Sequence, residues 1–387
     1  MGTIRQCLKE DLDQVAALWA KTFRLRDSWS VESVAAYLDQ VFFENPWQEE
    51  GAPASLIHLD SRDRITGFLG VVPRRMRFMG QPIRVAVGSQ LMVDREESTA
   101  YVALALFRKL FSGPQDLTFS DGANDLAQML AVAAGASVAI PFSLTWTRIL
   151  RPIGYLSGQC KDRNFLSPLV GAFAPIGNTL DATAARIRGN PYSVSEETAS
   201  QVEVEPAIET VLDYLCEMST RRALAPQYDR DSMSWLLKMA RQQQKHGQLR
   251  ISVVRDSSGA IVGWHSYYAK WRGVCEVLQF EAKSSSLDDV LNSLFRDARL
   301  QGATAVSGQV DPKFARHMAR KHHCQFRWTG GVLAHSKNPD IANAIHRGDA
   351  FLTRLDGEWW MRFCDMAADG KSAGRTSDVR NSRPSTS

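Results

Sequence analysis

The feature that most restricts this chain is an order of elements that occurs twice. Thr3 to Cys7 reads as a strand. Leu12, Val15, Ala16 and Trp19 then fall at helical spacing behind Asp11 and Gln14, and Val31 to Phe43 carries a second helix that Pro46 stops. Strand patterns follow at Ser55–Asp60, Ile65–Val72 and Ile83–Val93, a helix around Ala103, Leu106, Phe107 and Leu110, and a strand at Leu117–Asp121. A helix over Asn124–Ala134 ends at Gly135, and Ser137–Leu150 closes the unit as a strand. From Gln201 the same order returns. Strand Gln201–Val204 precedes helices at Ile208–Leu215 and Ser232–Gln244, then strands at Leu249–Arg255, Ala260–Ala269 and Val274–Ala282. Helix Leu287–Ala298, strand Ala303–Val310, helix Lys313–His322 and strand Arg327–Ser336 complete it. A repeated order of this length implies two similar units in tandem. The expected chain is α/β (α+β), with two mixed-sheet repeats at 1–150 and 201–365, each with its own core. A Gly- and Pro-rich connector occupies 151–200 and a disordered tail 366–387.

Composition narrows the partners. With 44% hydrophobic and 23% charged residues, the 387-residue chain has apolar material for large cores. A net charge of only +4, with no block of Lys/Arg interleaved with aromatics, argues against nucleic acid. No apolar run approaches the roughly 20 residues of a membrane helix. The start, MGTIRQCLKEDLDQ, lacks the apolar stretch of a signal peptide, so a cytoplasmic location is expected. Six scattered cysteines without a CxxC fit free thiols in a reducing compartment. GxGxxG, GxxxxGK[ST] and GxSxG are all absent, which removes the common nucleotide loops and the serine hydrolase elbow.

Two passages carry a family likeness. Gly88-Ser-Gln-Leu-Met-Val-Asp-Arg-Glu-Glu-Ser-Thr-Ala-Tyr-Val-Ala-Leu-Ala-Leu-Phe107 resembles the strand, loop and helix that hold acyl-CoA in the GNAT acyltransferases. Leu117-Thr-Phe-Ser-Asp-Gly-Ala-Asn-Asp-Leu-Ala-Gln-Met-Leu130 resembles the strand and helix that follow. Over about 2–363 the chain resembles tandem GNAT proteins of the FemAB-like kind, some of them linked to cell-envelope polysaccharides. The resemblance implies two GNAT-like repeats. It also implies acetyl-CoA or another acyl-CoA as co-substrate, no metal, and a small-molecule or glycan acceptor such as an amino sugar. Met92, Val93, Asp94, Ser98, Thr99, Ala100, Tyr101 and Asn124 take the positions that would hold the coenzyme. A helix N-terminus suits a pyrophosphate because its first N–H groups are unpaired and its dipole is positive there. The chain departs from the family where Glu96-Glu97-Ser98-Thr99-Ala100 has no glycine, and where Met129, Leu130 and Ala131 stand in place of the usual tyrosine acid. Two alternatives keep the fold: transfer of an aminoacyl group from tRNA, and a non-catalytic binding protein.

Acyl transfer needs a base for the nucleophile. Asp121 is a candidate, with a helix N-cap as its plainer role. Gln90 would position substrate or simply face solvent. Glu281 would face the groove between repeats or stand exposed on its strand. Trp264, His265, Tyr267 and Tyr268 form either a sugar or peptide platform or core packing. His317, His322, His323 and Cys324 are the sole ligand-like cluster, but separations of five to seven residues do not place two ligands on one helix face. The composition of the tail makes one prediction: removing Ala367–Ser387 leaves the melting temperature of the protein unchanged, and a fall of several degrees on truncation would contradict it.

Overall fold

The computed structural model describes residues 2–23, 30–94, 99–161, 191–194, 200–328 and 330–361. Most of the expected connector and all of the expected tail lie outside the described residues, as does Ser98. The first half comprises β1 (Thr3–Gln6), α1 (Leu12–Phe23), α2 (Val31–Phe42), β2 (Leu56–Leu59), β3 (Ile65–Phe78) and β4 (Gln81–Val93). It continues with α3 (Thr99–Phe111), β5 (Leu117–Ala123), α4 (Asp125–Ala134), β6 (Ser137–Val138) and β7 (Leu144–Ile149), and α5 (Pro152–Lys161) follows. The second half comprises β8 (Gln201–Val204), α6 (Ile208–Ser219), β9 (Leu224–Pro226), α7 (Arg230–Gln242), β10 (Gln248–Arg255), β11 (Ile261–Ala269) and β12 (Val274–Ala282). Then come α8 (Leu287–Leu300), β13 (Ala305–Gln309), α9 (Pro312–Lys321), β14 (Gln325–Trp328), β15 (Gly331–Ser336) and α10 (Pro339–His346). None of the described helices is long and apolar enough to cross a membrane.

Local chemistry sets the ends of these elements. Asn124 caps α4 by accepting from the Ala127 N–H, and Gly135 closes it in a left-handed conformation. Helix α7 begins two residues before the expected Ser232. Asp229 and Ser232 form a reciprocal capping box there, each side chain accepting from the other's backbone N–H at 2.8 Å. Strand β3 runs on past the expected Val72. Its start pairs with β2 and its end with β9, and Pro73 falls between these stretches, where that side needs no donor.

Two mixed sheets result, in the order β1-β2-β3-β4-β5-β15-β6, with β9 beside β3, and β14-β7-β13-β12-β11-β10-β8. Each holds one parallel pair, β4 with β5 and β12 with β13. The closing strands cross over. The expected strand Ser137–Leu150 is broken by the turn at Ile140–Phe142, which contains Pro141. Strand β6 stays in the first sheet while β7 joins the second, between β13 and β14. The second half mirrors this: β14 stays, and Gly330, at φ +153°, turns the chain so that β15 enters the first sheet between β5 and β6.

The cores follow the same logic. Helices α3 and α4 cover one face of the first sheet, and α8 and α9 one face of the second, each with its own apolar cluster. The other faces share a single cluster that runs from Leu38 and Phe42 through Leu236 and Trp264 to Trp360, so the expected separation into two cores is not found. Trp47 of the first half packs edge-on against Trp235 of the second at 5.5 Å, and Trp235 packs against Trp360. Each such ring contributes about 1.5–3 kcal/mol by burial. A chain of residues 1–150 alone would leave β5 without β15, and β7 without β13 and β14. Such a fragment is expected to show no cooperative thermal unfolding by circular dichroism, whereas the full chain does; a sharp transition in the fragment would contradict the coupling.

Candidate functional site

Strands β4 and β5 are hydrogen-bonded only from Val85–Val87 to Leu117–Phe119, and then they part. On its other side β4 stays paired with β3 through a bulge between Ser89 and Met92. Gln90 sits in the bulge at φ +54° and is buried. Opposite the bulge, Gly70 lets α2 pack closely on β3, since a side chain there would meet the Phe42 ring at 2.4 Å. Between the parted strands lies a cleft of about 770 Å³. Gly88, Ser89, Gln90 and Leu91 form one wall, Ser120 and Gly122–Asn124 the other, and rings of α3, including Phe107 and Phe111, line the apolar floor.

The chain end closes one side of this cleft. Asp121 is not the cap of α4. Its Oδ1 accepts from the backbone N–H groups of Glu358 at 2.6 Å and Trp359 at 3.0 Å. A side chain at Gly357 would strike the Asp121 carboxylate at 2.3 Å, so only glycine permits this approach. Glu358 is thereby turned into the cleft, where it is buried and accepts a hydrogen bond from the Ser120 hydroxyl at 2.5 Å. It is the one carboxylate among the described residues lining the cleft. Gln90 Nε2 donates to the Met361 carbonyl at 3.4 Å, while its Oε1 is buried with no hydrogen-bond partner among the described residues.

The second half has the same parting and a different outcome. Strands β12 and β13 pair from Val274–Val277 to Ala305–Gly308, then separate, and Leu278 is the bulged residue. Here the chain fills its own cleft. The Leu355 N–H donates to the Leu278 carbonyl at 3.2 Å, and Gln279 Nε2 donates to Thr353 Oγ1 at 2.9 Å and Asp356 Oδ2 at 3.2 Å. Tyr228 and Thr353 donate to the same Asp356 carboxyl, whose burial lifts its pKa to about 6. Only some 310 Å³ of space remains.

A third space, about 1100 Å³, lies where the halves meet. Gly122, Ala123 and Asn124 line both it and the first cleft. Its other walls combine Phe142, Leu144 and Val332 with the polar Asp121, Thr145, Ser307 and Gln309; Glu276 pairs with Arg354 at 2.5 Å, and Arg354 stacks 4.2 Å over Trp359.

The residues singled out in the sequence separate accordingly. Gln90 and Asn124 line the first cleft, and Asn124 also caps α4. Asp121 faces the junction space. Met92 and Val93 are buried and line none of these spaces. Asp94 pairs with Lys21 at 2.8 Å. Thr99 and Ala100 open α3, and Tyr101 in its first turn is exposed. Trp264, His265, Tyr267 and Tyr268 are core residues, fully buried between the layers, so no aromatic platform exists there. Glu358 and Ser120 were missed, because nothing near Gly357-Glu-Trp-Trp-Met361 signals that it returns to a strand more than 230 residues earlier.

Compared with protein-family models and with curated proteins, the sequence matches none. Solved structures do resemble it. A conserved protein from Enterococcus faecalis V583, described as a probable N-acyltransferase, superposes with a TM-score of 0.55 at 8% identity, over 87% of this chain and 73% of that one. A GCN5-related N-acetyltransferase from Anabaena variabilis ATCC 29413 gives 0.55 at 11% identity, over 88% and 74%. Another from Kribbella flavida gives 0.51 at 11%, over 87% and 71%. The fold is thus that of the GCN5-related N-acetyltransferases, built as two mixed sheets.

Glu281 stands apart from all of this. It lies inside the second half among Arg222, Tyr228 and Phe351, with Arg222 Nη2 at 3.5 Å and Lys313 Nζ at 3.7 Å, and Arg222 also pairs with Asp311. It is neither exposed nor turned to the groove between the halves. Burial raises its pKa to about 7, against the pull of Arg222 and Lys313. The fold therefore favours the protonated acid, and the stability this gives is present below the ordinary carboxylate pKa and lost as pH rises through about 7. Glu281→Gln should stabilise the protein by about 1–3 kcal/mol at pH 8 and by much less at pH 5. Thermal melts of both proteins across that range check it; a benefit that grows toward acid would contradict it.

Proposed function

We propose that the chain is an acyl-CoA-dependent N- or O-acyltransferase with one donor site, the cleft between β4 and β5. The asymmetry of the two clefts carries this reading. Both parallel pairs part in the same way, but one is filled by Leu355 and its neighbours and the other is open. The residues of the open cleft suit the ligand. The amides of a pantetheine arm need backbone partners, and the parted strands supply them. The orphan Oε1 of Gln90 accepts a further N–H, and the floor around Phe107 covers methylenes. The start of α3 at Thr99 and Ala100 presents the positive end of the helix dipole, which suits a pyrophosphate.

When bound, the coenzyme supplies an activated thioester carbonyl. The junction space admits a polar acceptor of amino-sugar size and meets the donor cleft at Gly122–Asn124. The acceptor's nitrogen or oxygen would bond to the acyl carbon as the carbon–sulfur bond breaks, with the electron pair of that bond leaving on the coenzyme's sulfur; Glu358 would take the proton that the nucleophile loses, and the released thiolate would take its proton from solvent. Ser120 fixes the carboxylate by its hydrogen bond, and Asp121 positions the backbone that presents it.

Calorimetric titration with acetyl-CoA, desulfo-CoA and longer acyl-CoAs tests the reading, with one site expected. Thr99→Glu puts a carboxylate at the anion position and should abolish binding, while Ser286→Glu, at the matching turn of the second half, should leave it intact. Glu358→Gln should bind as before and lower thiol release by about 100-fold or more. A folded Thr99→Glu protein that binds like the wild type, or loss of binding in Ser286→Glu alone, would refute the assignment.

A further inference from the structure

The spacing of His317 and His322 argues against a shared ligand site, but α9 ends at Lys321. His322 is its C-cap, at φ −107° and ψ 6°, and the chain turns there. Both imidazoles consequently converge on Asp288, in the first turn of α8. His317 Nε2 lies 2.7 Å and His322 Nε2 2.8 Å from the same carboxylate oxygen, Oδ1. All three donor atoms lie within 4.8 Å of one another. The His322 side chain is only 8% exposed and packs against the Phe295 ring, whereas Asp288 and His317 are 30% and 39% exposed, which leaves a path from solvent.

We propose that Asp288, His317 and His322 form a binding site for a divalent transition metal of the zinc class, clamping α8 to α9. Two imidazole nitrogens and one carboxylate oxygen are a donor set that zinc accepts, with a water completing four-coordination. Metal–donor bonds of about 2.0–2.2 Å place neighbouring donors roughly 3.3 Å apart, so each imidazole nitrogen needs to draw back from the carboxylate oxygen by only about half an ångström. Facing a carboxylate, each Nε2 carries a proton. On metal binding each Nε2 gives its lone pair to the ion: a neutral ring loses its Nε2 proton to solvent and takes one up at Nδ1, so it stays neutral, and only a ring protonated on both nitrogens gives up a proton overall. Lys321 Nζ holds the other oxygen, Oδ2, and is 61% exposed. Its ammonium opposes the incoming cation and can turn away into water. The site stands outside the proposed donor cleft, so it neither supports nor depends on the acyltransferase reading.

The full-length protein, stripped with a chelator, is titrated with zinc against a chromophoric competitor, and separately with cobalt(II). One equivalent should bind, cobalt should give the visible bands of a tetrahedral ion, and zinc should raise the melting temperature. His317→Ala, at a half-exposed position that a folded protein tolerates, should weaken zinc by more than the roughly 10–100-fold that loss of an outer-shell partner costs. Lys321→Met should bind at least as tightly as the wild type. A hydrogen-bonded clamp without a metal predicts no stoichiometric binding, and that result overturns the proposal. Binding that is unchanged in His317→Ala overturns it equally, because the ion then sits elsewhere.

Discussion

A parallel strand pair that separates before its strands end leaves backbone groups facing each other across a gap. Those groups cannot stay both buried and unpaired without a cost of about 1–3 kcal/mol each, so something must meet them. Both halves face this requirement, and they resolve it differently. In the second half the C-terminal segment enters the gap and Leu355 bonds to the bulged Leu278. In the first half the same segment is held at the cleft by Asp121 and places Glu358 beside Ser120 and Met361 beside Gln90. One stretch of chain thus closes one cleft and furnishes the other.

That arrangement depends on the crossing of β7 and β15. Because each closing strand is embedded in the other half's sheet, the two sheets cannot slide or separate without breaking ladders on both sides of β7 and β15. The junction space is framed by this exchange, with β5 and the start of β15 on one side and β7 and β13 on the other. Tyr37 adds a stitch through the shared core: it donates to the Met361 carbonyl at 2.6 Å and accepts from Gln243, joining α2, the end of α7 and the chain end.

Much of the fold was legible because its signals are local. The helical face of Leu287, Val290, Leu291 and Leu294, the stop at Gly135 and the turn at Asp256–Gly259 read directly as periodicity and turn chemistry. What was not legible is non-local. Pro141 and Gly330 mark breaks in two strands, but a sequence does not say that the pieces beyond them belong to different sheets. The bulge at Gln90 has no glycine to announce its positive φ. The candidate site suffers most from this. Asp121 offered two local roles, base or cap, and its actual contact is with residues 358 and 359. Likewise the histidines of α9 were judged on a helix that ends between them and the turn that unites them.

The crossing strand also imposes an order in time. A ribosome delivers β1 to β6 first, yet the slot between β5 and β6 stays vacant until residues 331–336 have emerged, and the rim of the cleft until 358–361 have. The nascent first half must wait with an open sheet edge for about half the length of the chain, a loop closure that slows folding and exposes β5 meanwhile. The same delay acts as a check on completeness, because a chain cut short before Glu358 lacks the one carboxylate that the described residues place in the cleft.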